Sequence, residues 1–288
     1  MTQWMTLVGP ETVMQGLGAA GLLIVDCRFD LADPGAGREA WAAGHLPGAQ
    51  YAHLDNDLAS PIGAATGRHP LPDSDAFVRF AGALGIEPET RVVCYDQGGG
   101  AIAGRLWWLL RYFGHAGVVV LDGGFAAWEA LSFPLETAAS TETAGAAASS
   151  FHPHRVWAGA VDVETLQREL AADVCLLLDA RSAERFRGDA EPIDAAAGHV
   201  PGAHNRPFTD NLDATGRCKS IKQLRDEFRA LLGDRDPTRV IHMCGSGVTA
   251  CHNLLAMEHA GFPGSRLYVG SWSEWIRDPA RPIATGAN

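Results

Sequence analysis

Positive charge is scarce in this chain: 23 Lys and Arg stand against 34 Asp and Glu, a formal net charge of −11. No cluster of Lys or Arg offsets that balance locally, so a phosphate backbone would be repelled, and no nucleic-acid partner is expected. Long apolar runs are also missing. None approaches the ~20 residues needed to span a bilayer, which excludes a membrane partner of that kind. The first residues, Met1 to Thr6, lack a basic segment followed by an apolar one and a small-residue cleavage site; the expectation is an unexported, cytoplasmic protein. Cysteine pairs are absent as well. The chain has 6 cysteines and no Cys-x-x-Cys, so the usual zinc and redox spacings are not present and neither a metal nor a cofactor is expected. In an unexported chain the cysteines do not form a disulfide framework. What the chain does have is apolar material, 47% of its residues, enough to form cores and exclude general disorder.

That material is arranged as an internal repeat. Leu22-Leu23-Ile24-Val25-Asp26-Cys27-Arg28 is answered by Leu176-Leu177-Leu178-Asp179-Ala180-Arg181, and Gly44-His45-Leu46-Pro47-Gly48-Ala49 by Gly198-His199-Val200-Pro201-Gly202-Ala203. Arg91-Val92-Val93-Cys94-Tyr95-Asp96 is answered by Arg239-Val240-Ile241-His242-Met243-Cys244, and Gly123 to Trp128 by Gly270 to Trp275. Four blocks in one order mean duplication. The expected division is a first domain over 1–137, an Ala/Ser/Thr/Gly-rich linker over 138–155, and a second domain over 156–288. Within each half, short runs such as Val92–Tyr95, Val118–Leu121 and Val240–Met243 are apolar at nearly every position. Strands of that kind are buried on both faces. They alternate with segments of helical spacing, 103–113 and 248–260 among them, which predicts an α/β fold: a parallel sheet with helices on both faces in each half.

Chemistry concentrates at one junction. A buried strand ends at Cys244, Gly245-Ser246-Gly247 follows, and a helix begins. Consecutive backbone N–H groups in such a loop form an anion-binding nest, and the helix N-terminus adds about half a positive charge behind it. A thiol there is favoured as thiolate, the nucleophilic form. Cys27, Cys94 and Cys175 fall inside strand runs and read as small buried hydrophobes. Cys218 lies in a polar stretch, and Cys251 falls in the helix, beyond the loop. The first repeat places Asp96 where the second has Cys244. Rival readings are weaker. A cysteine phosphatase needs Cys-x5-Arg, and the sixth residue after Cys244 is Ala250. Gly98-Gly99-Gly100 with Gly104 has the wrong spacing for a dinucleotide fingerprint. His242, Cys244, Cys251 and His252 straddle a strand-to-helix turn that scatters their side chains, so no metal ligand set forms.

The chain resembles the rhodanese superfamily of two-domain sulfurtransferases, and Cys244-Gly245-Ser246-Gly247-Val248-Thr249 is similar to the active loop of 3-mercaptopyruvate sulfurtransferases. The likeness runs along essentially the whole chain and includes both Gly-His-x-Pro-Gly-Ala motifs and the closing Gly270 to Trp275. It implies a tandem repeat of two rhodanese-like domains, the first catalytically silent. It implies that Cys244 takes sulfur from 3-mercaptopyruvate as a persulfide, releases pyruvate, and passes the sulfur to a small thiol, thioredoxin or cyanide. The amides of Gly245, Gly247, Val248 and Thr249 would hold the persulfide, with the Ser246 hydroxyl hydrogen-bonding near Cys244. Arg185 would grip the substrate carboxylate, and Asp57 and His69, in a stretch longer than its counterpart in the second half, would act with Ser246 in proton transfer. A monomer or weak dimer is expected.

Two departures and two alternatives go with it. Mercaptopyruvate-specific relatives often carry a second arginine after a Glu-Pro pair, where this chain has Asp194. Val269 stands where relatives often show Asp. Thiosulfate-specific relatives carry basic residues directly after the cysteine, whereas Gly245 and Ser246 are uncharged, so thiosulfate sulfurtransferase is the alternative activity. A sulfur carrier or binding module without turnover is the non-enzymatic alternative, and the retained Cys244, Ser246 and Arg185 argue against it.

Overall fold

The computed structural model describes residues 6–137, 151 and 159–287. By its packing the chain divides into two units: Met1–Ser60, Pro72–Trp157 and Ala214–Cys218 form the first, and Pro61–Leu71, Ala158–Asp213 and Lys219–Asn288 the second. The segment over 61–71 therefore belongs with the second unit although it precedes most of the first. The expected linker over 138–155 lies, apart from Phe151, outside the described residues.

In the first unit the chain runs β1 (Leu7–Val8), α1 (Pro10–Gly16), β2 (Leu22–Asp26), α2 (Ala36–Ala43), β3 (Gln50–Tyr51), α3 (Leu54–Asp57), α4 (Ser74–Ala83), β4 (Arg91–Tyr95), α5 (Ala103–Tyr112), β5 (Val118–Leu121) and α6 (Gly124–Ala130). The second repeats the scheme with β6 (Ala160–Val161), α7 (Val163–Ala171), β7 (Leu176–Asp179), α8 (Ala183–Arg187), β8 (Ala203–Asn205), α9 (Ile221–Leu232), β9 (Val240–Met243), α10 (Ala250–Ala260), β10 (Arg266–Tyr268) and α11 (Ser271–Trp275). Each unit holds a five-stranded sheet, ordered β1-β5-β4-β2-β3 in one and β6-β10-β9-β7-β8 in the other, and every pairing within them is parallel.

The apolar runs become the inner strands because they are buried throughout: all four residues of β5, β7 and β9 are buried. Half-buried strands would alternate instead. The helices split into two kinds. α9 is amphipathic, buries Leu224, Phe228 and Leu232, and starts with a capping box between Ser220 and Gln223, which satisfies two otherwise unpaired N–H groups. α5 and α10 directly follow the central strands' loops and are buried nearly all round. In α5 only Arg111 reaches partial exposure, and Trp107, Trp108 and Leu110 are core residues as their spacing predicts. For α10 the spacing predicts one buried face, but Ala250 to Met257 is buried continuously. The helix is covered on several sides, so a single apolar stripe understates its burial.

The strand order places the chemistry. From β7 the chain goes to one side of the sheet, to β8, and from β9 to the other, to β10. The carboxyl ends of β7 and β9 thus flank a topological switch point, where open α/β sheets leave a crevice for ligands. β2 and β4 do the same in the first unit.

The Gly-His-x-Pro-Gly-Ala motifs have a structural role. In the second unit Arg181 forks onto Asp179 (Nη2–Oδ2 2.6 Å) and donates from Nη2 to the Gly198 carbonyl at 2.8 Å. In the first, Arg28 pairs with Asp26 at 2.6 Å and donates to the Gly44 carbonyl at 2.7 Å. Each buried pair ties a strand end to its motif, and the hydrogen bonds to backbone use guanidinium protons the carboxylate leaves over.

Candidate active site

Cys244 follows the last residue of β9 and is buried, with 2% of its surface accessible. The Gly247 backbone N–H donates to its Sγ at 3.1 Å. Gly247 lies in the left-handed region, φ 76°, a conformation glycine adopts without steric cost. The whole loop is clamped from α11: the backbone N–H groups of Trp272 and Ser273 donate to the Cys244 and Gly245 carbonyls at 3.0 and 2.9 Å. Ser271 Oγ accepts the Cys244 N–H at 3.1 Å and donates to the Tyr268 carbonyl at 2.9 Å. The closing Gly270 to Trp275 motif is therefore a brace for the cysteine loop, a role its sequence does not announce. Ser271 makes its bond from φ 54°, an uncommon conformation for a residue with a side chain; the first unit has Gly124 there, at φ 57°.

The first unit shows what the same loop does without cysteine. The Asp96 carboxylate accepts backbone N–H groups from Gly98, Gly100, Ile102 and Ala103 at 2.7 to 3.1 Å. Burial raises this carboxyl above its ordinary range, and those four N–H groups act in the opposite direction. The nest is filled by an anion of its own chain.

Three side chains gather at the cysteine loop. His69, 2% accessible, has Nδ1 2.7 Å from Ser246 Oγ; the tautomer decides which of them donates. The expected partner of Ser246 near Cys244 is thus His69, while the hydrogen bond to the sulfur comes from Gly247. Arg185, on α8, lies at the loop: a β-carbon at Gly245 would lie 3.5 Å from its Nη2. The same β-carbon would lie 3.1 Å from Nη2 of Arg68, a residue sequence reasoning passed over although it adjoins His69. Asp57 belongs to the first unit and is not one of the residues assembled in the second. Its carboxylate accepts the His53 N–H at 2.7 Å, and burial raises its pKa.

The two guanidinia share a carboxylate. Asp194 Oδ1 accepts from Arg68 Nη1 at 2.6 Å and Oδ2 from Arg185 Nη2 at 2.9 Å. Glu191 accepts from Arg185 Nε at 3.0 Å. Burial pushes the Glu191 carboxyl up, but Arg185 and the N–H groups of Asp194 and Ile193 outweigh it and hold it below its ordinary value.

The remaining cysteines differ from Cys244 in setting. Cys27, Cys94 and Cys175 are buried, as expected, and burial raises the pKa of each. Cys218 is half-buried. Cys251 lies in α10, as its position in sequence suggests, and its Sγ donates to the Gly247 carbonyl four residues back at 3.3 Å. Among the described residues no group of His, Cys, Asp and Glu is arranged to hold a metal ion, and no helix is long and apolar enough to cross a membrane.

His242, two residues before Cys244, sits in β9 fully buried with Nε2 3.2 Å from Met257 Sδ. Burial lowers its pKa to about 3 from 6.5. The unfolded chain therefore binds a proton here that the folded chain refuses, and this residue's contribution to stability is lost as pH falls from 6.5 toward 3. At about 1.4 kcal/mol per pH unit, the loss between pH 6.5 and 4.5 is roughly 2–3 kcal/mol. Urea midpoints at those two pH values should therefore fall further for the wild type than for His242→Leu. Equal falls would show that the imidazole is not held neutral.

Comparison with known proteins agrees with this geometry. The rhodanese-like domain family matches residues 9–131 and 162–278. A Pseudomonas aeruginosa protein named "Probable 3-mercaptopyruvate sulfurtransferase" is 47% identical, over 97% of this chain and 98% of its own. A Gallus gallus thiosulfate sulfurtransferase is 32% identical, over 92% of this chain and 90% of its own. The solved structure of 3-mercaptopyruvate sulfurtransferase from Leishmania major superposes with a TM-score of 0.82 at 32% identity, covering 96% of this chain and 76% of that one. With two parallel sheets, a loop at each switch point and matches along nearly its whole length, the chain belongs to the rhodanese-like family and carries two copies of its domain.

Proposed function

We propose that the protein is a sulfurtransferase that moves sulfur from 3-mercaptopyruvate through a persulfide on Cys244. One observation carries the reading: the Cys244 sulfur, held by the Gly247 N–H, shares its loop with two guanidinia and a His–Ser pair. Residues 156–288 together with the segment over 61–71 supply that machinery, and the rest of residues 1–137, where Asp96 fills the loop, forms the silent domain.

The chemistry follows from the parts. The Cys244 thiolate attacks the thiol sulfur of the donor. A sulfur–sulfur bond forms, the donor's carbon–sulfur bond breaks, and its electron pair leaves as the enolate of pyruvate, which a proton converts to pyruvate. Arg185 and Arg68 offer N–H groups to the donor carboxylate, a planar anion that suits the guanidinium fork. Negative charge grows on the ketone oxygen as the carbon–sulfur bond breaks. Ser246, backed by His69, provides a donor for it and a route for the proton. The backbone amides from Gly245 to Thr249 then hold the persulfide. An acceptor nucleophile, whether a small thiol, thioredoxin or cyanide, takes the outer sulfur and returns the thiolate. Two half-reactions through one covalent intermediate predict ping-pong kinetics.

The deciding experiment compares mercaptopyruvate with thiosulfate by kcat/KM, using cyanide and a thiol as acceptors. Many turnovers of pyruvate release with a larger constant for mercaptopyruvate support the reading. A larger constant for thiosulfate installs the alternative donor, and a single stoichiometric burst makes the protein a sulfur carrier. Arg185→Ala should raise KM for mercaptopyruvate about tenfold or more, the cost of one charge-assisted hydrogen bond, with a smaller change in kcat. A pure kcat effect would remove the carboxylate role.

A further inference from the structure

We infer that Asp194 is a specificity-determining residue, a resident carboxylate that sets the charge of the two-arginine seat so that it receives a monoanionic donor and disfavours a dianionic one. The inference rests on the sulfurtransferase reading above and concerns donor choice within it.

The carboxylate lies between the two guanidinia that face Gly245, one oxygen on each, at 2.6 and 2.9 Å. Its side chain is 4% exposed, whereas those of Arg68 and Arg185 are 23% and 16% exposed. The arginines thus keep a face toward solvent while Asp194 is enclosed behind them. Its own backbone N–H donates to Glu191 Oε1 at 3.1 Å, which fixes the residue in a tight turn. Nε of Arg68 is shielded from solvent and has no hydrogen-bond partner among the described residues, so this guanidinium is not fully satisfied by Asp194.

Counting formal charges of the linked groups makes the point quantitative. Arg68, Arg181 and Arg185 are positive; Asp179, Glu191 and Asp194 are negative, so the cluster sums to zero. Arginines with no carboxylate behind them would present a net positive seat and draw most strongly on the most highly charged donor. With Asp194 in place the seat still offers directional N–H groups, which a single carboxylate can use. The Coulomb gain for a second negative charge is largely removed, because repulsion from Asp194 acts twice on a dianion and once on a monoanion at equal distance.

The test measures kcat/KM for thiosulfate, a dianion, and mercaptopyruvate, a monoanion, in the full-length protein. In Asp194→Asn, which keeps the shape and removes the charge, the thiosulfate-to-mercaptopyruvate ratio should rise about tenfold at low salt. Solvent around the partly exposed arginines limits the rise, which should shrink further as ionic strength increases. The change should be carried by KM. Arg68→Gln shifts the seat's charge the other way and should lower the ratio; it also decides the matter if the Asn variant does not fold. Opposite movements of the ratio in the two variants establish the role. A ratio that stays within about twofold in both, that moves the same way in both, or that does not respond to salt overturns it. Turnover of neither donor by the wild type would instead overturn the sulfurtransferase reading itself.

Discussion

Replacing Cys244 by serine is expected to lower mercaptopyruvate-dependent pyruvate release by ~10⁴-fold or more, the scale on which removal of a covalent nucleophile acts, while the fold stays intact. The two halves of the expectation have separate physical grounds. The braces on residue 244 are backbone bonds, from its N–H to Ser271 Oγ and from Trp272 N–H to its carbonyl, and neither involves sulfur. A hydroxyl can accept the Gly247 N–H in place of Sγ, so the urea midpoint should hardly move. A serine hydroxyl, by contrast, neither ionises near neutral pH nor forms a bond to sulfur that an acceptor can readily undo. Intact mass after exposure to donor gives an independent reading: the wild type gains one sulfur atom and the variant none. Cys251 is the natural suspect if activity persists, since it also touches the loop. Its thiol donates to the Gly247 carbonyl, so its sulfur faces an acceptor, whereas the Cys244 sulfur faces the Gly247 N–H. Activity of the serine variant within tenfold of wild type would remove Cys244 from the centre of the mechanism.

How much of this was legible beforehand depended on whether a feature was local. The inner strands are continuous apolar runs, and β5 and β9 appear with the bounds their sequence suggests, Val118–Leu121 and Val240–Met243. The edge strands β1, β3 and β6 have two residues each. No periodicity can be seen in two residues, so strand order stayed hidden until pairing was observed. The cysteine loop was legible because a strand, a glycine-containing turn and a helix start are adjacent in sequence. Arg68 was not, because its meaning comes from Asp194, far along the chain; the signal at hand was its position beside His69. Ser271 was obscured differently. The repeat aligns it with Gly124, and only the backbone angle shared by the two shows that a serine there is held for a contact.

Gly247→Ala is expected to cost both stability and turnover, and it separates the geometry of the nest from the chemistry of the thiol. A β-carbon at this position would lie 2.4 Å from the Val269 carbonyl oxygen, well inside van der Waals contact with backbone that cannot rotate away. The left-handed conformation at φ 76° adds its own penalty for alanine. Together these should destabilise the protein by roughly 2–4 kcal/mol. Any relief of the clash must displace the residue whose N–H donates to Cys244 and whose carbonyl accepts from Cys251. Loss of one such donor at a developing or resident anion commonly costs ~10²-fold, so the first half-reaction should slow by about that factor. Rapid-quench measurement of persulfide formation would read the rate, urea unfolding the stability, and thiol alkylation the reactivity of the sulfur. Alkylation of Cys244 at a fixed pH should slow in the variant, because the N–H that donates to its sulfur is displaced. Unchanged alkylation with slowed turnover would mean that the loop orients the donor without stabilising the sulfur. An alanine variant that matched wild type in all three measurements would show that the close approach to Val269 places no constraint on the loop.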